Sequence, residues 1–256
     1  MPSRCLYLWG VLESVVKKMT MAIVFTALGV CTVVPYVYCR CKRKLLPGLF
    51  LKIATSMCFI LTSSALVLAN SAYFDHYRYI LLGIVVGQVF GLLGDYWLDM
   101  KDMYLQHKEI YMFAGFISFF IGHVVFIAGL FRTYGADWGW PELAIILGAG
   151  LALAVFIMLT EKPMKLRYGK FKGISMAYAA IFGVSITTAL LSWLSTRNPQ
   201  ALVMCVGLVI FLLSDLFLSG TFFGEGKERP FDYIANYVCY FGGQFVISLS
   251  LLAIAA

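Results

Sequence analysis

The stretch Gly87–Met100, GQVFGLLGDYWLDM, sets Asp95 inside an apolar segment long enough to enter a bilayer. Insertion scales put a central acidic residue at roughly 2.5–3.5 kcal/mol, so a carboxylate that persists there faces a bundle interior or a wet cavity and marks a site. The stretch then returns. Gly207–Gly220, GLVIFLLSDLFLSG, aligns with it at a constant offset of 120 residues, matching Gly87/Gly207, Val89/Val209, Leu92/Leu212, Leu93/Leu213, Asp95/Asp215 and Leu98/Leu218. Two intramembrane aspartates therefore occupy equivalent places in two halves of the chain.

Outward from these copies, the 256 residues are 61% hydrophobic and 13% charged, with a mean hydropathy of +0.86. A soluble domain averages about 45–50% apolar and about 25% charged, so the soluble classes are excluded. Apolar segments, each near the roughly 20 residues needed to span, fall at 19–39, 49–69, 80–99, 111–131, 143–160, 174–193, 201–219 and 235–255. The expected fold is all-α, a polytopic membrane bundle of about eight transmembrane helices. Residues 19–256 read as one transmembrane domain. Ahead of it, residues 1–18 place Arg4, Lys17 and Lys18 around Leu8, Trp9, Leu12 and Val15, the spacing of a short helix lying at the interface. The run Met19–Cys39 is too long for a cleavable signal and lacks a small-residue cleavage site.

The formal charge of +7 would suggest nucleic acid in a soluble protein, but here the basic residues sit in short loops, where they set orientation instead. Loops one, three, five and seven hold 13 Lys and Arg, against 6 in the N-terminal tail, the even loops and the C-terminus. The odd loops are expected in the cytoplasm and both termini outside it. No nucleic-acid partner is expected, and the membrane itself is left open, a cell membrane in a bacterial source or an endoplasmic reticulum otherwise. The seven cysteines lie mostly within spans, and Cys39 and Cys41 have no second pair with which to build a zinc site.

The repeat extends beyond the aspartates. Lys52 pairs with Lys172 at the offset of 120, and Phe120, Gly122 and Val125 pair with Phe241, Gly243 and Val246 at 121, which sets His123 opposite Gln244. The unit is four spans, at about 19–131 and 143–255. Because four is even, both halves insert the same way, and the pseudo-two-fold axis is expected along the membrane normal.

Lys52, Asp95, His123, Asp215 and Gln244 thus form the polar constellation of the spans. Two carboxylates sharing a low-dielectric pocket do not both stay ionised, which leaves a general acid beside a general base. The alternative is structural: each aspartate glues helices, or one pairs with Lys52 in a buried ion pair. His123 suits a proton relay, a headgroup contact or an interhelical hydrogen bond, Gln244 the same set, and Lys52 either a lipid phosphate or a snorkelling position. No metal is expected. Asp95, Asp99 and Asp102 share a helix face, but the second repeat has Ser219 where Asp99 stands, and no helix offers paired histidines. Walker-type and dinucleotide glycine loops are absent too, so no nucleotide cofactor is expected.

With these residues in view, the chain resembles the YhhN family of integral membrane proteins, which includes the lysoplasmalogenases. The resemblance lies in Leu92-Leu93-Gly94-Asp95, Gly122-His123, Leu212-Leu213-Ser214-Asp215, Tyr240-Phe241-Gly242-Gly243-Gln244 and Lys52, and runs from about Leu46 onward. One departure is Ile53 after Lys52, where the family's usual proline is absent. The resemblance implies eight helices and hydrolysis of the vinyl ether bond of a lysoplasmalogen to a fatty aldehyde and glycerophospho-ethanolamine or glycerophospho-choline. Asp95 and Asp215 would then be catalytic, and Lys52, His123, Gln244 and Tyr240 would bind substrate or relay protons. The partners implied are the lysophospholipid and membrane lipid, and no cofactor is needed. The rival expectation is a proton-coupled transporter or channel, whose site would sit at the midplane, whereas these aspartates lie about five residues from the cytoplasmic ends of the spans as read here.

Overall fold

A computed structural model of the chain describes residues 2–224 and 229–254, with side chains described from residue 16 onward. Eight long helices follow in order: α1 Pro2–Cys41, α2 Leu45–Ala69, α3 Phe74–Met103, α4 Lys108–Tyr134, α5 Trp140–Leu159, α6 Lys172–Thr196, α7 Pro199–Phe223 and α8 Pro230–Leu249. All eight are long and apolar enough to cross a membrane. The chain is a multi-pass helical membrane protein.

The helix ends follow from local chemistry. Prolines at the first or second helical position open α5, α7 and α8, where the missing N–H would lack a partner in any case. At α7, Asn198 Oδ1 accepts from Gln200 N at 2.9 Å. α6 closes on Arg197 in the left-handed conformation at φ 56°, and the Pro199 that follows prevents continuation. The helices extend past the apolar runs seen in sequence, because polar and aromatic turns at their ends keep their backbone bonds as the chain leaves the apolar core. Of residues 1–18, expected as a separate interfacial helix, 2–18 are continuous in backbone with the first span; residue 1 and the side chains up to residue 15 lie outside the described residues.

The packing order expresses the repeat. α1 packs on α2, α2 on α3 and α3 on α4, and the same order recurs as α5 on α6, α6 on α7 and α7 on α8. The halves join through α4 against α6 and through α8 against α2, with α1 and, more lightly, α3 also touching α8. The six helices α2, α3, α4, α6, α7 and α8 thus close a ring, with α1 and α5 outside it as the least buried spans. Their outward residues are apolar, including Ile23 and Val34 on α1 and Leu147 and Leu151 on α5. An exposed apolar face of this extent suits lipid.

Glycines set how close the ring helices come. A Cβ on Gly122 of α4 would stand 2.9 Å from the Gly87 carbonyl of α3, and a Cβ on Gly243 of α8 would stand 2.8 Å from the Gly207 carbonyl of α7. The same backbone contact is built at matched positions in both halves, the close approach that small residues permit between helices in membranes. The offset of 120–121 is therefore structural as well as textual.

Symmetry breaks at α1 and α5. α1 packs on α8 as well as on α2, whereas α5 packs chiefly on α6. Tyr36 of α1 is fully buried against Tyr237 and Phe241 of α8, with ring centroids 4.7 and 5.7 Å away. On the α5 side an apolar cavity lies between α5, α6 and α7 in its place.

Candidate functional site

Asp95 and Asp215 each stand eight residues before the C-terminal end of their helix, Met103 in α3 and Phe223 in α7. Eight residues is about 12 Å of helix. The longer helices place both aspartates about a turn farther from the ends than the apolar runs imply, and still on the odd-loop side of the helix midpoints. Both line one cavity, walled also by Lys52, Leu98, Asp99, Phe119, Ser214, Asn236 and Tyr240.

The two carboxylates differ in their partners. Asp95 Oδ2 accepts from Ser56 Oγ at 2.6 Å and from the Tyr240 hydroxyl at 2.7 Å, and Lys52 Nζ stands 3.4 Å from its Oδ1. Asp215 Oδ2 accepts from the Tyr178 hydroxyl at 2.7 Å. Around that pair stand the rings of Phe116, Phe119 and Phe222. An ammonium and two hydroxyls stabilise negative charge on Asp95, while Asp215 meets one hydroxyl in an aromatic pocket.

Lys52 takes part as an ion-pair centre. Its Nζ is 3.0 Å from Asp99 Oδ1, and the side chains of Lys52, Asp95 and Asp99 are all nearly sealed from the surface. Arg40 extends the network, 3.8 Å from Asp99 Oδ1 and 2.8 Å from Asp102 Oδ2. The repeat counterpart of Lys52, Lys172, is instead exposed and paired with Glu161 at 2.6 Å. The match of the two lysines in sequence is thus not a match of environment, because the carboxylate at position 99 has only Ser219 opposite it.

His123 and Gln244 sit elsewhere. His123 lies among the rings of Phe126, Tyr178, Phe182 and Phe211, with Nδ1 3.0 Å from Ser185 Oγ. The Ser185 hydroxyl proton is directed to the Ile181 carbonyl at 2.9 Å, so Nδ1 is the donor, and Nε2 is buried with no hydrogen-bond partner. His123 is one ring behind Tyr178 and does not line the aspartate cavity. Gln244 belongs to a network in which Gln88 Nε2 donates to the Gln244 carbonyl at 3.0 Å and to Ser248 Oγ at 2.8 Å, and Ser63 Oγ donates to Gln88 Oε1 at 2.6 Å. That network holds α2, α3 and α8 together.

Of the six residues singled out in sequence, the cavity brings together Asp95, Asp215, Lys52 and Tyr240. Sequence reasoning missed Ser56 and Tyr178, the hydroxyl donors, and Arg40, which falls just past the apolar run 19–39. Ser56 carried a signal, since it follows Lys52 by four residues and shares its helix face. Tyr178 carried none, because its repeat counterpart is Cys58.

Among the described residues, two buried polar atoms without a hydrogen-bond partner belong to the cavity wall. Asn236 accepts from Ser214 Oγ at 2.9 Å through Oδ1, and its amide nitrogen has no partner; Asp99 Oδ2 has none either. The Asn236 amide can donate to a water or a substrate oxygen, and Asp99 Oδ2 can accept from a water or a substrate hydroxyl. Among the described residues no group of three or more His, Cys, Asp and Glu is placed to hold a metal ion.

Comparison with curated proteins and with solved structures gives no match. The model of the YhhN family matches residues 49–251, a range that takes in the whole six-helix ring apart from the first turn of α2, and both aspartates. The chain belongs to the YhhN family.

Proposed function

We propose that this protein is a lysoplasmalogenase-like hydrolase that cleaves the vinyl ether bond of a lysolipid by paired-aspartate acid/base catalysis. The observation that carries the reading is the shared cavity: two carboxylates from matched places in two repeats line it in unequal surroundings. The substrate class comes from the resemblance of the motifs.

Asp215, on the aromatic side, gives its proton to the β-carbon of the vinyl ether, and an oxocarbenium ion forms. Asp95, held by Ser56, Tyr240 and Lys52, stabilises that cation and takes a proton from the attacking water, as paired carboxylates do in glycoside hydrolysis. The hemiacetal then returns its hydroxyl proton to Asp215, and the departing glycerol oxygen takes its proton from Asp95. Aldehyde and alcohol leave, one water is consumed, and both residues regain their starting states. The apolar cavity between α5, α6 and α7 reaches Asp215, with Ile157, Phe182 and Leu212 among its walls, and is the natural seat for the alkenyl chain.

The test is purified protein in detergent, incubated with a lysoplasmalogen and, separately, with the saturated lyso-ether lipid. Aldehyde release from the first alone is expected. Release from neither overturns the hydrolase reading and turns attention to proton-coupled transport through the same aspartates.

A further inference from the structure

A second, polar cavity opens beside the aspartate cavity at the odd-loop end. Arg40 from the last turn of α1, Lys101 and Asp102 from the end of α3, Lys108 from the start of α4, and Tyr233 and Tyr237 from the beginning of α8 wall it. It shares Arg40, Lys101, Phe222 and Tyr237 with the aspartate cavity, so the two adjoin.

Charge decides what that ligand is. Among the described residues Asp102 is the one carboxylate in the wall; its oxygens hold Arg40 at 2.8 Å and Lys101 at 2.7 Å. The side chains of Arg40 and Lys101 are 10% and 6% exposed, which makes unbalanced positive charge there expensive. Over both cavities four cations, Arg40, Lys52, Lys101 and Lys108, face four carboxylates among the described residues, Asp95, Asp99, Asp102 and Asp215, but at the polar end Arg40, Lys101 and Lys108 meet Asp102 alone in the wall. Lys52 is taken up by Asp95 and Asp99, so the excess lies at the polar end. An anion completes the balance. Arginine and lysine beside tyrosine hydroxyls form a donor set suited to phosphate oxygens.

We propose that this cavity is a phosphate-ester subsite, seating the headgroup phosphate of a one-chain lipid whose reactive bond lies between Asp95 and Asp215. The assignment of that bond rests on the hydrolase reading above; the phosphate subsite rests on the charges. It also gives the arrangement a direction, with the phosphate at the polar end, the ether bond at the aspartates and the chain in the apolar cavity beyond Asp215.

The experiment measures binding without turnover, using full-length protein in detergent and two saturated probes of equal chain, 1-O-alkyl-lysophosphoethanolamine and 1-O-alkylglycerol. The phosphate-bearing probe should bind about tenfold tighter or more, the size expected of hydrogen bonds to a charged group. Lys101→Gln and Lys108→Gln should each erode that preference while alkylglycerol binding holds. Lys108 is exposed, so its variant decides the matter if Lys101→Gln does not fold. Equal affinity of the parent for the two probes, or an intact preference in Lys108→Gln, overturns the subsite. Inorganic phosphate and glycerophosphoethanolamine are then tested as competitors. Displacement by either at millimolar level supports a site open to soluble phosphate esters, and resistance to both supports a site reached by lipid-borne phosphate. If the headgroup preference stands while no aldehyde is released from lysoplasmalogen, the hydrolase reading fails and the phosphate subsite survives it.

Discussion

Tyr240 of α8 donates its hydroxyl proton to Asp95 Oδ2 of α3 at 2.7 Å, tying the first repeat's aspartate to the second repeat's last helix. At the matching place in α4 stands Phe119, which brings a ring to Asp215 without a hydroxyl. Two carboxylates that begin as equivalents in a repeat are thereby made chemically distinct.

Tyr240→Phe copies the first repeat's residue into the second, so the ring packing against Phe119 and Phe211 should persist. The lost hydrogen bond to a charged group is worth about 1.5–3 kcal/mol. Aldehyde release should fall about 10- to 100-fold in a variant that still purifies as a folded monodisperse protein. Full activity in a folded Tyr240→Phe protein would remove Asp95 from the reaction.

Asp95→Asn and Asp215→Asn should each lower turnover by about 100-fold or more, the range of general acid–base catalysis. The double variant should be little worse than either single, since groups acting on one transition state are non-additive. Asp215→Asn, which breaks no ion pair, should insert and melt no lower than the parent, because a neutral isostere sheds a desolvation cost, and Asp95→Asn should still fold, because Lys52 keeps Asp99 as its partner. Aldehyde release above about a tenth of the parent's in a folded variant would contradict the assignment.

Lys52→Met removes the one cation within reach of both Asp95 and Asp99. Breaking a buried pair leaves uncompensated charge and costs about 3–5 kcal/mol, so the melting temperature should drop sharply. Adding Asp99→Asn to Lys52→Met should recover part of that loss. A double variant as unstable as the sum of its two singles would show that Lys52 and Asp99 are not coupled.

Gly243→Ala drives a methyl group into the Gly207 carbonyl and the Phe211 backbone, at 2.8 and 2.9 Å. The backbones must separate, and overpacking of this kind costs about 1–3 kcal/mol. Gly242→Ala, one residue away, meets nothing within 4 Å and should be neutral or slightly stabilising, since alanine exceeds glycine in helix propensity by about 1 kcal/mol. Thermal unfolding of the pair in detergent checks the contrast; equal melting temperatures would remove the close α7–α8 contact.

Eight spans, the repeat and the two aspartates were legible in the chain itself. Hydropathy reports spans because a bilayer forces every backbone group into internal bonds over about 20 residues, and a carboxylate such as Asp95 within such a run stands out by its cost. Matched glycines at 87 and 207, and at 122 and 243, announced the helix contacts they go on to make. Helix ends were less legible, since α3 carries Asp99, Lys101 and Asp102 in its last turns, charges that read as loop until their partners are seen.

Only the tertiary structure decided which polar residues meet. Lys52 and Lys172 look alike in the repeat, yet one is buried between two aspartates and the other lies exposed beside Glu161. His123 and Gln244 look like site residues, yet neither lines the cavity: His123 sits among aromatic rings and the Gln244 side chain meets the Gln88 amide. Tyr178 and Tyr240 reach the carboxylates from α6 and α8, across sequence separations of 37 and 145 residues. A repeat in sequence sets where equivalent backbones pass, because helix period and glycine spacing are local properties. Which side chain fills the space between them depends on neighbours from distant helices, and that is decided when the ring closes.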